Sequence, residues 1–459
     1  MGAALLLLTQ PSIARAHPFL RRSTPAAADS LVASPLQLRL TFSEAIELRF
    51  SRLELVAPDG TMAALGPLVV VPDSLGTIVA TLPRALGTGE YLVRWQVAGD
   101  DAHVVRGEYR FVVGRRVRAG GEAAAVVVPA AEAVAHEGHH LAESVWPAFD
   151  ASDPLFVGVR WLMYLALVGI VGAAVFQAAV LGRVARRWTA LGMPPRGELT
   201  VLSAAVGQIA ALLLLVTLPL RLVAQSVAMH APGQAFQAEI VGGMIAHTMW
   251  GWSWLAQLAL TLAAVVLFRR ARATSHWMPV RVVTLFLAFT PAFSGHAIAA
   301  ERLVPLAVLS DGLHILGAAG WLGTLAVMLI VSITAAVGST EDHGTLAAEL
   351  VTAYSPVALT CAALAGLTGV ASAWIHIGHL SELLTTAFGR VLLLKLTILS
   401  LVVATGAYNW RRVLPALGDR VGAARVVRSA SVEALIAILV LFVTAVLVSL
   451  PTPLAAGGP

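Results

Sequence analysis

Cysteine is all but missing: among 459 residues Cys361 is the single one. That excludes a disulfide framework within the chain and any thiolate copper or zinc site. A metal ion here must be held by His, Asp, Glu, Met or a free N-terminus. Charge is scarce too. Asp, Glu, Lys and Arg make up 12% of the residues, against 58% hydrophobic. Soluble domains carry roughly twice that charge. A polytopic membrane protein is expected, with the lipid bilayer as its surroundings. The net charge of +5 then reflects arginines in cytoplasmic loops, and no nucleic-acid partner is expected. There is no P-loop or aspartyl-phosphate signature, so nothing points to ATP use, and no enzyme activity is expected.

The apolar excess is uneven. Residues up to about 120 show ordinary polar alternation, and the long apolar runs begin near Leu155. Leu5–Leu8 and Ala14-Arg15-Ala16 read as the apolar run and cleavage site of a signal peptide over 1–16. Cleavage there makes His17 the first mature residue. Such a histidine offers a metal two nitrogens, the free α-amine and the ring Nδ1, which suits Cu(II). The alternative is a histidine that follows a cleavage site by chance.

Over 36–113 the pattern is that of strands. Leu36, Leu38, Leu40 and Phe42 alternate with polar residues, and Phe50–Leu55, Thr77–Leu82, Tyr91–Val97 and Gly107–Val113 add more. Short strands between Gly- and Pro-bearing turns predict an all-β, Ig-like sandwich or barrel over 17–114. Between the last two strands, Asp101 and His103 are two apart, so in extended chain they share a face and can meet one ion. The alternative is a solvated polar turn. Residues 115–150, rich in Ala, Gly and Glu, read as a flexible linker, with His136, Glu137, His139 and His140 as a loose metal tract or a solvated one.

From 151 to 453 a bundle of about eight transmembrane helices is expected. The apolar segments fall at 155–181, 200–224, 245–268, 280–299, 306–333, 351–375, 389–410 and 430–450. Arg183, Arg186, Arg187 and Arg196 follow the first segment, Arg269, Arg270, Arg272 and Arg281 the third, and Arg411 to Arg428 the seventh. The positive-inside rule makes these loops cytoplasmic and both chain ends external. His230, His247, His296, His376 and His379 then fall at outer span ends, while His276 and His343 are cytoplasmic. In the fifth span, Asp311 and His314 are three apart and share a helix face. They read as two ligands, or as an internal Asp–His hydrogen bond between helices. Lys395 and Glu433, in the last two spans, read as an intramembrane pair or a proton path. Met229, Met244 and Met249 near the outer face offer soft sulfur to Cu(I), or simply pack.

The first part of the chain resembles the CopC copper-binding family. The resemblance rests on Ser23-Thr24-Pro25, on Leu40-Thr41-Phe42-Ser43-Glu44-Ala45-Ile46-Glu47, on Gly89-Glu90-Tyr91-Leu92-Val93-Arg94-Trp95 and on Gly107–Val113. It implies a Cu(II) site at His17, Asp101 and His103. Met62 is the only methionine of this part, so a Cu(II)-only site is expected there. The second part resembles the CopD family, through Ser294-Gly295-His296-Ala297, Asp311 with His314, Trp321-Leu322-Gly323, Gly369, Lys395, Asn409, Glu433 and Pro451.

The whole therefore resembles a CopC–CopD fusion. That implies copper delivery across a bacterial inner membrane, from Cu(II) captured outside to a site at His296, Asp311 and His314 that takes Cu(I) or Cu(II). His230, His247, His376, His379, Lys395 and Glu433 are auxiliary candidates, and periplasmic copper chaperones are candidate partners. Two other readings stay open. One is a membrane redox protein with haem between histidines of neighbouring spans. The other is a periplasmic copper buffer or sensor that transports nothing.

Overall fold

A computed structural model describes residues 20–114 and 153–450, apart from short stretches at 43–45, 49–50, 73, 99–103, 192–196, 231–233, 275, 296, 298–302, 339–342, 378, 409–410 and 412–419. The expected signal peptide and linker lie outside the described residues.

Among the described residues, nine strands form two facing sheets: β1 (Leu20–Thr24), β2 (Ser30–Leu31), β3 (Gln37–Phe42), β4 (Arg52–Val56), β5 (Met62–Ala63), β6 (Val69–Val71), β7 (Ser74–Thr81), β8 (Gly89–Ala98) and β9 (Val104–Val113). One sheet runs β1-β3-β7-β6, the other β2-β9-β8-β4-β5. The alternation in β3 sends Leu38, Leu40 and Phe42 inward against Leu55, Val93, Trp95 and Phe111 of the other sheet. Leu36 departs from this reading. It precedes the strand and is 85% exposed.

Phe42 meets Trp95 edge to face, with ring centroids 5.0 Å apart. Trp95 in turn lies over Gly107, its cross-strand partner, and a Cβ at Gly107 would fall inside the indole ring. Gly107→Ala should therefore destabilise the sandwich by about 1–3 kcal/mol through overpacking. A denaturant midpoint no lower than that of wild type would contradict this.

The helical part comprises α1 (Pro154–Val175), α2 (Gly182–Ala190), α3 (Gly197–Met229), α4 (Ala238–His247), α5 (Met249–Thr274), α6 (Met278–Phe289), α7 (Val304–Ala318), α8 (Thr324–Gly338), α9 (His343–His376), α10 (Glu382–Thr385), α11 (Ala387–Tyr408) and α12 (Arg420–Leu447). A π-helical turn at Phe176–Leu181 joins α1 to α2, and another at Ala319–Gly323 joins α7 to α8. Gly172 of α1 crosses Gly323 so closely that a Cβ on either would strike the other helix's backbone. Small residues permit such approach where no water drives helices together.

Among the described residues, seven helices are long and apolar enough to cross a membrane. The segment expected as the fourth span is the short one. It is α6 followed by a 3₁₀ turn, Thr290–Ser294, because Pro291 has no N–H to continue the α-ladder. Its 12 α-residues and 5 3₁₀ residues still reach about 28 Å, at roughly 1.5 and 2.0 Å per residue.

The β domain sits directly on the bundle. Arg106 donates to the Ala228 carbonyl (2.9 Å), and Gln96 Nε2 donates to that of Met229 (2.9 Å). These are orphan carbonyls at the end of α3, so the sandwich caps that helix from outside, with a cation at its negative pole. Arg52 adds a bond to Gln234 Oε1 (2.9 Å).

Candidate metal centre

His17, Asp101, His103 and His296 lie outside the described residues, as do His136, Glu137, His139 and His140 of the linker. What is described of the outer site is its frame. β8 and β9 pair along their whole length, from Gly89 with Val113 to Ala98 with Val104. Asp101 and His103 belong in sequence to the connection between Ala98 and Val104. Ala98 is fully buried and packs into a cluster with Leu218, Met229, Met244, Trp250 and Trp254 of the helices.

Inside the bundle, His314 is fixed by α9. Its Nδ1 lies 2.8 Å from the Ala365 carbonyl. A carbonyl only accepts, so the neutral ring carries its proton on Nδ1 and its lone pair on Nε2, the form in which imidazole ligates metals. Gly369 makes the space, since a Cβ there would come within 3.1 Å of Cε1 and 3.3 Å of Nδ1. One turn away, Ser310 Oγ donates to the Thr368 carbonyl (3.0 Å), and Gly317 brings α7 against Ala365 and Cys361. The α7–α9 contact is thus a row of small and hydroxyl residues with one imidazole set among them.

Asp311 shares the helix with His314, but Nδ1 of His314 is turned to α9 and not to this carboxylate. Asp311 lies within Coulombic reach of His376 and Lys395. Tyr164 of α1 is also within its reach. His376 closes α9, with Nδ1 2.7 Å from the Ser372 carbonyl, and so presents its lone pair on Nε2 as His314 does. Among the described residues, no three of His, Cys, Asp and Glu gather as a metal site.

The expected pairing of Lys395 with Glu433 does not form. Lys395 is within Coulombic reach of Asp311, whereas Glu433 lies beside Gly406, with Oε1 3.7 Å from a Cβ built there. That is roughly three turns further along α11. Spans can be read from composition, but the depth at which two side chains meet depends on how the helices slide against one another. Glu433 instead lines an apolar cavity of about 550 Å³ with Tyr354, Trp321 and Met328. Of the other histidines, His230 is buried, with Nδ1 2.8 Å from the Ser226 carbonyl, while His247 and His379 are exposed.

One residue escaped the sequence reading. Arg221 is buried in the middle of an apolar helix, at 6% exposure. It donates to Gln257 Oε1 (2.9 Å) and to Ser294 Oγ (2.6 Å), and its guanidinium lies 5.2 Å from the Trp250 ring centre. Gln257 and Ser253 hold Thr290 in turn, at 3.0 and 2.7 Å. The network pins the 3₁₀ turn that leads into Gly295 and His296. A lone arginine in an apolar run is itself a functional signal. Arg221→Met should strip a buried acceptor, Gln257 Oε1, and a part-buried one, Ser294 Oγ, of their donor, at about 1–3 kcal/mol for the buried one, and lower the unfolding temperature in detergent. An unchanged temperature would show the network to be dispensable.

A β-sandwich seated on the end of α3, over a helical part in which Asp311 lies within electrostatic reach of His376 and Lys395, defines a two-part protein whose second part has helices able to cross a membrane. Three family models divide the chain the same way: CopC domain over 20–114, Copper resistance protein D-like, N-terminal domain over 151–304, and Copper resistance protein D over 348–447. The chain belongs to the copper-resistance family in which a CopC domain is fused to a CopD membrane domain.

It is 26% identical over 455 residues to the copper transport protein CutJ of Bacillus subtilis, covering 98% of this chain and 77% of that one. It is 36% identical over 107 residues to copper resistance protein C of Escherichia coli, covering 22% of this chain and 83% of that one. Among solved structures, CopC from Methylosinus trichosporium OB3b matches at 30% identity and a TM-score of 0.20, over 21% of this chain and 93% of that one. PcoC from Escherichia coli, a methionine-rich copper resistance protein, matches at 29% identity and 0.20, over 21% and 99%.

Proposed function

We propose that this protein captures Cu(II) on its outer β domain and delivers copper through the helix bundle of a bacterial inner membrane. Both chain ends are outside in this reading, as the arginine-rich loops require. Copper is the cargo. On the outside it is held by the His17 amine and ring with Asp101 and His103. Further in, it is held by His296, Asp311 and His314, with His376 at the rim.

The seating of the β domain carries this reading. Ala98, where β8 ends, packs among Leu218, Met229 and Met244 of the helices, so the chain that goes on to Asp101 and His103 leaves from the surface of the bundle, and in this reading a captured ion has a short way to it. The chemistry inside is an exchange of cations. A buried carboxylate is costly without a positive partner. Lys395 supplies that partner to Asp311 while the pathway is empty, and an arriving copper ion takes its place, with His314 Nε2 as a nitrogen ligand. The family membership and the similarity to CutJ support copper handling as the overall task.

Proteoliposomes holding the purified chain should accumulate radioactive copper above protein-free vesicles. Accumulation equal to the empty vesicles, with Cu(II) still bound outside, would leave a buffer or sensor as the correct reading.

A further inference from the structure

The apolar cavity that Glu433 lines belongs to neither copper site, and its walls suit a different ligand. It lies between α8, α9, α11 and α12 and holds about 550 Å³, within the range of small-molecule sites. Leu359 of α9 and Val403 of α11 both line it, and they are 74% and 54% exposed. Each belongs to a helix long and apolar enough to cross a membrane. The mouth between them therefore opens to lipid, and what enters comes from the bilayer.

The polar groups of the wall are buried. Glu433 and Tyr354 are 6% and 7% exposed and within Coulombic reach of one another. The Tyr354 hydroxyl donates to the Trp321 carbonyl (3.3 Å), and the hydroxyl of Ser355, also in the lining, donates to the Val351 carbonyl (2.9 Å). With those hydrogens spent, both oxygens have only lone pairs left to offer. An ionised Glu433 carboxylate likewise only accepts. A ligand matched to this wall brings hydrogen-bond donors, and a donor placed on a buried carboxylate offsets its desolvation. Trp321 supplies a flat ring to the same wall.

Depth narrows the choice. Tyr354 follows the start of its span at Ala348 by six residues, and Glu433 follows Arg428 by five. Both therefore lie roughly 7–9 Å inside the end of the bundle that carries Arg411 to Arg428. A phospholipid keeps its charged head outside the hydrocarbon, a phosphate would be repelled by a carboxylate, and an acyl chain carries no donor. A neutral lipophile with a hydroxylated ring meets every requirement. We propose that this cavity binds a membrane-dissolved quinol, whose ring hydroxyl donates to Glu433 and whose chain leaves between α9 and α11 into lipid. The site does not depend on the copper-delivery reading.

Decylubiquinol is the probe. The full chain, free of metal, is placed in nanodiscs of quinone-free phosphatidylcholine and equilibrated under argon with the tritiated probe. Retention above protein-free discs is measured. One saturable equivalent is expected, bound at least tenfold more tightly than decylubiquinone, which has carbonyls in place of the hydroxyls. Glu433→Gln should weaken quinol binding at least tenfold, because a neutral acceptor replaces a charged one, and should narrow the preference for quinol. A Cβ at Gly406 meets only Glu433 Oε1, at 3.7 Å, so Gly406→Leu has room to enter the cavity and should abolish retention of both forms. Wild type that retains no more than empty discs overturns the site without any variant having to fold. Equal affinity for the two forms overturns it as well, as does unchanged binding in Glu433→Gln. Displacement by an equal amount of methyl palmitate, a chain without a donor, would assign the cavity to acyl chains and overturn the proposal too.

Discussion

A mature chain that keeps one extra, acetylated residue ahead of His17 is expected to lose its outer Cu(II) centre. The reason is geometric. With His17 first, the α-amine and the ring Nδ1 close a chelate on one metal, and both nitrogens come already joined by the same residue. An added residue, acetylated at its own amine, turns the His17 amine into an amide and leaves no free amine to close a chelate with the ring. Asp101 and His103 remain, but a tetragonal ion is left with too few nitrogen donors. Loss of even an outer-sphere partner costs 10–100-fold in metal affinity, so the loss here should reach at least about 100-fold. Electron paramagnetic resonance checks it. The native N-terminus should show a type 2 copper signal with nitrogen couplings, and the extended chain should not. An identical spectrum and affinity in both would remove His17 from the site.

The second large effect is expected at Asp311. Asp311→Asn keeps the side chain's shape while deleting its charge, and copper uptake into proteoliposomes should fall at least tenfold, on the scale by which a metal site loses affinity with a partner. The complication is Lys395, which loses its counter-charge in the same step. Asp311→Asn with Lys395→Gln restores charge balance and therefore separates two roles. If Asp311 serves only to neutralise Lys395, the double variant should transport like wild type. If Asp311 meets copper, the double variant should fold and stay inactive. His314→Ala should also lose uptake, since no other side chain on α7 offers a lone pair at that height. His276→Ala, at an exposed position between α5 and α6, should be nearly silent. Normal uptake by both Asp311→Asn and His314→Ala would make the pair structural.

Much of the architecture was legible without coordinates, because its signals are local. The alternation of Leu38, Leu40 and Phe42 is a property of neighbouring residues, and the pleat sends them to one face wherever the strand lies. The long apolar runs declare spans because lipid leaves backbone groups no partner outside the helix. Gly369 stood out by resemblance alone. Its physical sense, room for the His314 ring, needed α9 laid against α7. Asp311 and His314 could be put on one face from their spacing, but not that His314 would turn to the Ala365 carbonyl while Asp311 came within electrostatic reach of His376 and Lys395.

What the sequence by itself determined is therefore the division into a β part and a membrane part, the inward faces of the strands, the number of apolar segments and the short list of groups able to hold a metal without thiolate. Only the tertiary structure decided that the fourth segment ends in a 3₁₀ turn pinned by Arg221, that Lys395 comes within electrostatic reach of Asp311, and that the sandwich caps α3 through Arg106 and Gln96. Periodicity and hydropathy are fixed by residues a few positions apart. The depth and rotation at which helices meet, and the place where one domain sits on another, depend on close packing between residues from about fifty to well over a hundred positions apart, and no local pattern encodes that sum.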